Sequence, residues 1–330
     1  MSKLRALVTG ATGFVGSHLA EALVAAGYEV SCLVRPTSDL KWLRGLEIKL
    51  LPGSVTDEPS LAAAVREQDC IFHVAGLTKA RRVAEFFEVN AKGTHNVLSA
   101  CKQQNPTVRR VVYVSSQAAA GPSPDGTPLT ENSPCRPVSL YGKSKYEGER
   151  AVAQYAADLP ATIVRPSAVY GPRDRDIFFV FQLANRGILP VIGSRDMRVN
   201  LIHVKDLVRA IMLAAESDKA VGQTYFATDP APYRWTETGT LVAAALGKKC
   251  LRIRIPIFAI SLVAAAARVV SVFQYSPPLL SPDKVRELKQ RYWVCSTVKI
   301  SSTLGFAPQY SLAEGLSETA RWYRDNHWLK

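Results

Sequence analysis

Residues 4–16 read LRALVTGATGFVG, and the fold follows from how this stretch is read. Leu4 to Thr9 is a short apolar run with the character of a buried strand, and Phe14 to Ala26 has the spacing of an amphipathic helix. Between them lies GATGFVG. Gly10 permits a tight turn, Gly13 lets a pyrophosphate approach the backbone, and Gly16 lets the helix pack closely on the sheet. The first helical turn offers unpaired amides and the positive end of the helix dipole. Glycines also mark plain turns, so the reading rests on the strand–turn–helix context. Thr12, Phe14 and Val15 complete the expected phosphate cradle.

Outward from this turn the rhythm continues. Val30–Val34, Glu47–Leu51, Cys70–Val74, Arg110–Ser115 and Thr162–Arg165 read as strands. Leu61–Glu67, Phe86–Cys101 and Tyr141–Ala157 read as helices. Strands alternating with helices imply parallel pairing, because each crossover returns the chain across the sheet. The expected fold is α/β, a doubly wound parallel sheet over residues 1–171. Leu201–Val204 and Val208–Glu216 look like a further strand and helix, so 199–229 are expected to rejoin that domain. Residues 172–198 and 230–330 are expected to form a smaller, mostly helical substrate lobe over the carboxyl ends of the strands.

Composition narrows the classes. The chain has 330 residues, 47% of them hydrophobic, enough for a large core. Six cysteines without a CxxC pair read as reduced, mostly buried thiols, and no metal site is expected. With 41 basic against 28 acidic residues the net charge is +13. No Lys/Arg run or aromatic-interleaved basic motif points to nucleic acid, so no nucleic-acid partner is expected. No signal-like segment precedes the first strand, and a cytoplasmic location is expected. The apolar run Ile255–Val272 is interrupted by Pro256 and Arg268. A buried or pocket-lining helix is the first reading, and a weak peripheral membrane contact is the second.

The chemistry-bearing residues lie further on. The fifth strand ends in VVYVSSQ (111–117), and YGKSK (141–145) opens the helix that follows. Tyr141 and Lys145 at i, i+4 share a helix face. A free tyrosine titrates near about 10, and a neighbouring ammonium is expected to lower that value. Ser116 can then hydrogen-bond a substrate oxygen while Tyr141 exchanges its proton. At the end of the second strand, where a carboxylate would hold the ribose of NAD, stands Arg35 in CLVRPTS (32–38). Its guanidinium suits a 2′-phosphate, so NADP is expected over NAD.

With these residues in place the chain resembles the extended short-chain dehydrogenase/reductases over essentially its whole length. FHVAG (72–76), NAKGTHNVL (90–98), VRPSAVYGPRD (164–174) and NLIHVKDLV (200–208) add to the resemblance. It implies a Rossmann-like fold, with Ser116, Tyr141 and Lys145 catalytic and Lys145 also holding the nicotinamide ribose. It implies Val55 near the adenine, Ala75 and Gly76 beside the adenosine ribose and phosphates, and Pro166 flanking the nicotinamide. Val114 and Val169 belong to the same cofactor wall, and Asn90 orders the site. Ser54 departs from the family, which commonly has an aspartate there in the adenine pocket. A homodimer is implied by the same resemblance.

Three departures choose among the family's reactions. Dehydratases carry an acidic pair where this chain has Gln117 and Ala118. Sugar-nucleotide enzymes hold the diphosphate with an asparagine and an arginine; Ala168 and Val199 stand at those positions, although Arg198 is adjacent. The C-terminal lobe, with its apolar run, Phe273, Tyr275 and Tyr292–Trp293, resembles the 3β-hydroxysteroid dehydrogenase and dihydroflavonol reductase branch. The expected function is an NAD(P)-dependent alcohol dehydrogenase or ketone reductase for a moderately hydrophobic small molecule. The alternative is a nucleotide-sugar epimerase with tightly bound NAD. A non-catalytic cofactor-sensing protein is disfavoured by the presence of Tyr141 and Lys145.

Overall fold

The computed structural model describes residues 3–193, 197–271 and 281–329. Phe273 and Tyr275, and the end of the 255–272 run, lie outside them. From the amino end the chain forms β1 (Arg5–Thr9), α1 (Phe14–Ala25), β2 (Glu29–Val34), β3 (Ile48–Pro52), α2 (Glu58–Ala64) and β4 (Cys70–His73). It continues as α3 (Val83–Phe87), α4 (Gly93–Gln104), β5 (Arg110–Val114), α5 (Gln117–Ala120), α6 (Leu140–Gln154) and β6 (Ala161–Pro166). Then come β7 (Ala168–Tyr170), α7 (Phe178–Asn185), β8 (Ile188–Ile192), β9 (Arg198–Val199), β10 (Leu201–His203), α8 (Val204–Glu216) and β11 (Thr224–Ala227). The remainder is β12 (Tyr233–Arg234), α9 (Trp235–Leu246), β13 (Leu251–Ile255), α10 (Ile257–Ser271), α11 (Pro282–Leu288), β14 (Tyr292–Trp293), α12 (Val298–Leu304) and α13 (Leu312–Asp325).

Seven strands build one parallel sheet in the order β11-β6-β5-β4-β1-β2-β3. The chain winds outward from β1 to β3, then returns past β1 to β4 and winds the other way. The carboxyl ends of β1 and β4 therefore flank the point where the winding reverses, the usual ligand crevice of such sheets. Both faces are covered. Ala6 and Val8 of β1 pack with α1 and α8 through Leu19, Leu23, Leu207 and Ile211. Leu7, between them in sequence, packs on the other face with Leu61 of α2, Val97 of α4 and Val152 of α6. Strands buried on both faces read as continuous apolar runs, which is why RVVYV in β5 is buried throughout.

Three sequence expectations change. The strand expected at Leu201–Val204 pairs with β7 in a separate two-stranded sheet, and β11 is the strand that returns to the main sheet beside β6. The single helix expected over Phe86–Cys101 starts earlier, at Val83, and is broken at Glu88–Lys92 by one π-helical turn before α4 resumes. Such turns insert one extra residue, and they are often found at functional sites. The run 255–272 is not a wholly buried helix. Ile255 ends β13, α10 begins at Ile257, and Ile260 and Ala264 pack against Val285 while Phe258, Leu262 and Val263 face outward.

A third core, joining Tyr170, Phe181, Leu189, Val242, Leu316 and Tyr323, binds α7, α9 and α13 together. Among the described residues no helix is long and apolar enough to cross a membrane. All six cysteines are free, and four are buried. Burial pushes the thiols of Cys32 and Cys101 up to about 12 and that of Cys70 up to about 11.

Candidate active site

The glycine turn has the geometry that its sequence requires. Gly10 sits at φ +74°, and a Cβ there would come within 2.6 Å of the Ala75 amide nitrogen. A Cβ on Gly16 would come within 2.2 Å of the Gly10 carbonyl oxygen, so α1 can rest on the turn only without a side chain. Gly13 is exposed, and its missing Cβ would meet nothing but that carbonyl, at 3.2 Å. No side chain caps the start of α1, and no acidic residue occupies its first turn. Thr12, Phe14 and Val15 are half-buried around this open helix end. Uncapped amides facing open space, with no nearby carboxylate, fit a pyrophosphate.

Along the crevice the other expected cofactor residues fall at strand ends. Val34 pairs with Pro52, and the Gly53 amide donates to the Val34 carbonyl at 2.9 Å, so Arg35 and Ser54 leave adjacent strands together. Arg35 is exposed, and its guanidinium has no hydrogen bond or ion pair among the described residues. The Ser54 hydroxyl lies 2.9 Å from that of Thr56, and Val55 is buried against Gly93. Ala75 and Gly76 follow β4, and Pro166 ends β6. Val169, on β7, pairs with Ile202 outside the main sheet.

The three residues expected to be catalytic, Ser116, Tyr141 and Lys145, are brought near one another by close backbone packing. Ser116 is the N-cap of α5, its hydroxyl accepting from the Ala118 amide at 3.1 Å. A Cβ on Gly142 would lie 2.3 Å from the Ala118 carbonyl oxygen, so α6 can approach Ser116 only through a glycine. Gly148 does the same one turn and a half later, against the Tyr113 hydroxyl. Tyr141 is half-buried beside Phe86, with ring centroids 6.4 Å apart. The Lys145 ammonium is buried, donates to the Val114 carbonyl at 2.8 Å, and lies 4.3 Å from the Tyr113 ring centroid.

The π-helical turn explains Asn90. Its side chain is buried, accepts from the Leu77 amide at 2.7 Å, and donates to the Leu77 carbonyl and the Ser144 hydroxyl. A Cβ on Gly76 would stand 3.2 Å from Asn90 Oδ1 and 3.6 Å from Lys145 Nζ. Val114, Gly76, Asn90 and Lys145 thus meet at one place.

Electrostatics correct one expectation. Burial pushes the Tyr141 hydroxyl up to about 12, and hydrogen bonding to Ser116 pulls the other way. Lys145 is not what sets it. Burial instead holds Lys145 down to about 7, opposed by the charge of Glu149. Loss of solvation is the largest cause of both values.

Two supports were not legible in the sequence. Glu149 and Arg165 form a buried two-point ion pair at 2.6 and 2.8 Å, and Ser115 donates to Glu149 at 2.6 Å. From α11, Asp283 accepts from the Leu140 and Tyr141 amides, and Glu287 accepts from the Ser139 hydroxyl at 2.7 Å. Both carboxylates sit in a short charged segment, SPDKVRELKQ (281–290), in which nothing signals the target. Gln117 is buried, with no partner for its side-chain nitrogen, and Ala118 is buried too. Ala168 is exposed, whereas Val199 is buried in the third core. Among the described residues no His, Cys, Asp and Glu cluster could hold a metal ion.

This combination of an uncapped glycine turn at the crevice and a Ser–Tyr–Lys set beside it defines a nicotinamide-dinucleotide enzyme of the extended short-chain dehydrogenase/reductase class. Residues 6–226 match the NAD dependent epimerase/dehydratase family, and the chain belongs to it. Among its relatives is a ceramide reductase of Caulobacter vibrioides, 33% identical over 323 residues, covering 98% of this chain and 95% of that protein. A 3 beta-hydroxysteroid dehydrogenase/Delta 5-->4-isomerase of Mycobacterium tuberculosis is 32% identical, covering 97% of this chain and 90% of the relative. The UDP-glucose 4-epimerase of Thermus thermophilus, solved with NAD, superposes with a TM-score of 0.79 at 26% identity, covering 97% of this chain and 99% of the other.

Proposed function

We propose that this enzyme is an NADP(H)-linked ketone reductase or alcohol dehydrogenase for a moderately hydrophobic substrate. The observation that carries the reading is the meeting of Ser116 and Tyr141 at the carboxyl edge of the sheet, with the Lys145 ammonium one helical turn away. The nicotinamide cofactor, when bound, supplies or removes the hydride. Ser116 orients the carbonyl oxygen by donating its hydroxyl hydrogen. Tyr141 gives that oxygen a proton in reduction and takes one in oxidation. Lys145, fixed by the Val114 carbonyl, stands where it can hold a ribose hydroxyl of the cofactor.

Substrate polarity follows from what is missing. No acid follows Ser116 to expel water, and neither Ala168 nor Val199 can pair with a sugar diphosphate. The names of the ceramide and steroid relatives fit the same apolar class. Arg35 supports NADP over NAD, because its exposed guanidinium is free to meet a 2′-phosphate. Homodimerisation is part of this reading, with sedimentation velocity as its check.

The deciding experiment is Tyr141→Phe. Loss of the proton donor lowers turnover of a ketone by about 10²–10⁴-fold while NADPH binding is retained. A near wild-type rate in that variant removes this mechanism.

A further inference from the structure

Five of the ten exposed large hydrophobic side chains among the described residues fall within thirteen positions, Leu251 to Val263. Leu251 is 71% exposed, Phe258 68%, Leu262 66% and Val263 59%. Phe258 and Leu262 stand one turn apart on the outer face of α10, while Ile260 and Ala264 on its inner face pack on Val285 of α11. Leu251 and Ile253 project from β13, which among the described residues pairs only with β8.

The charge pattern around this patch is one-sided. From Thr238 to Pro282 the sequence contains no aspartate or glutamate, yet it includes Lys248, Lys249, Arg252, Arg254 and Arg268. Lys248, Lys249, Arg252 and Arg254 are exposed, and none forms an ion pair among the described residues. Arg252 and Arg254 alternate with Leu251 and Ile253 along β13 and so lie on its other face, at the margin of the patch. Apolar side chains with unpaired cations at their margin match acyl chains beneath anionic headgroups. A second copy is a poor occupant, since a two-fold contact sets the same four cations against themselves.

We propose that α10 and β13 form a docking surface for an anionic lipid bilayer. The contact is peripheral, because α10, fifteen residues long, is too short to span the membrane. Its inner face rests on α11, whose Asp283 accepts the amide hydrogen of Tyr141. One short helix therefore joins the docking surface to the catalytic helix, and the crevice is held near the lipid phase where apolar substrates partition.

The test is sedimentation of the full-length protein with vesicles of phosphatidylcholine alone and of phosphatidylcholine with about one-third phosphatidylglycerol. No substrate is present, so the result is independent of the proposed reaction. Wild-type protein is expected to bind the anionic vesicles at least about tenfold more tightly. Phe258→Asp with Leu262→Asp should abolish pelleting, with circular dichroism and NADPH binding unchanged. Arg252→Glu with Arg254→Glu should remove the preference for anionic vesicles without touching the apolar face. Two results overturn the proposal: wild-type protein that stays in solution with both vesicles, or variants that pellet as wild type. A wild-type dimer that ignores vesicles and becomes monomeric in the Phe258→Asp, Leu262→Asp variant also overturns it, and assigns the patch to a second copy.

Discussion

Asp283 accepts a hydrogen bond from the backbone amide of Tyr141 at 3.3 Å, through one oxygen, while its other oxygen accepts from Leu140 at 2.7 Å. A carboxylate from a segment 142 residues away thereby satisfies free amides at the start of α6. Asp283→Asn should weaken both bonds and cost about 1 kcal/mol. Turnover should fall by less than about tenfold, since no reacting group is lost. Denaturant unfolding, with kcat measured beside KM, checks this; unchanged stability and rate would show that Ser139 alone caps the helix.

Glu149→Gln should be far more damaging. Both members of the Glu149–Arg165 pair are buried, and removing the charge of one leaves the other guanidinium uncompensated. Breaking a buried pair costs about 3–5 kcal/mol. Thermal and urea unfolding of the variant read this directly, and a loss below about 1 kcal/mol would mean water has replaced the partner.

Gly142→Ala tests close packing. The added methyl meets the Ala118 carbonyl oxygen at 2.3 Å, and that backbone atom cannot swing aside as a side chain could. Overpacking of this kind costs about 1–3 kcal/mol. Because α5 carries Ser116 at its start, ketone turnover should fall as well. The same substitution at Gly27, where nothing lies within 4 Å but φ is +85°, should leave turnover intact.

Lys145 predicts a pH dependence for the cofactor-free protein. Its folded value is about 7, against an ordinary lysine value of 10.5, and burial is the main cause. Between those values the unfolded chain binds a proton that the folded chain does not. Stability from this group therefore rises with pH across that window, and falls as pH drops toward 7. Urea midpoints of wild type and Lys145→Met should diverge in that direction from pH 7 to 10. Parallel curves would show that Lys145 stays charged in the fold.

Arg35→Ser should raise the dissociation constant for NADPH about tenfold, with NADH binding changed little. Fluorescence titration with both cofactors separates the outcomes. An equal loss for both would place Arg35 on a phosphate common to the two.

Much of the fold was legible because local physics dictates it. GATGFVG, the doubly buried strand runs and the Tyr141–Lys145 spacing each specify a conformation within a few residues, and the seven-stranded parallel sheet follows from them. The break at Glu88–Lys92 was not legible, since a π-helical turn has the same composition as the helix around it. What it achieves is set elsewhere, by Leu77 and Ser144 waiting for the Asn90 side chain. The 255–272 run likewise announced apolarity but not which side would be covered.

The sequence by itself determined the class of fold, the glycine turn and which residues are candidates for its chemistry. Only the tertiary structure decided their electrostatic state, with Tyr141 raised and Lys145 lowered. It alone joined Glu149 to Arg165 and Asp283 to the start of α6. The reason is physical: strand and helix signals are short-range and periodic, whereas burial and charge pairing depend on residues brought together from distant parts of the chain.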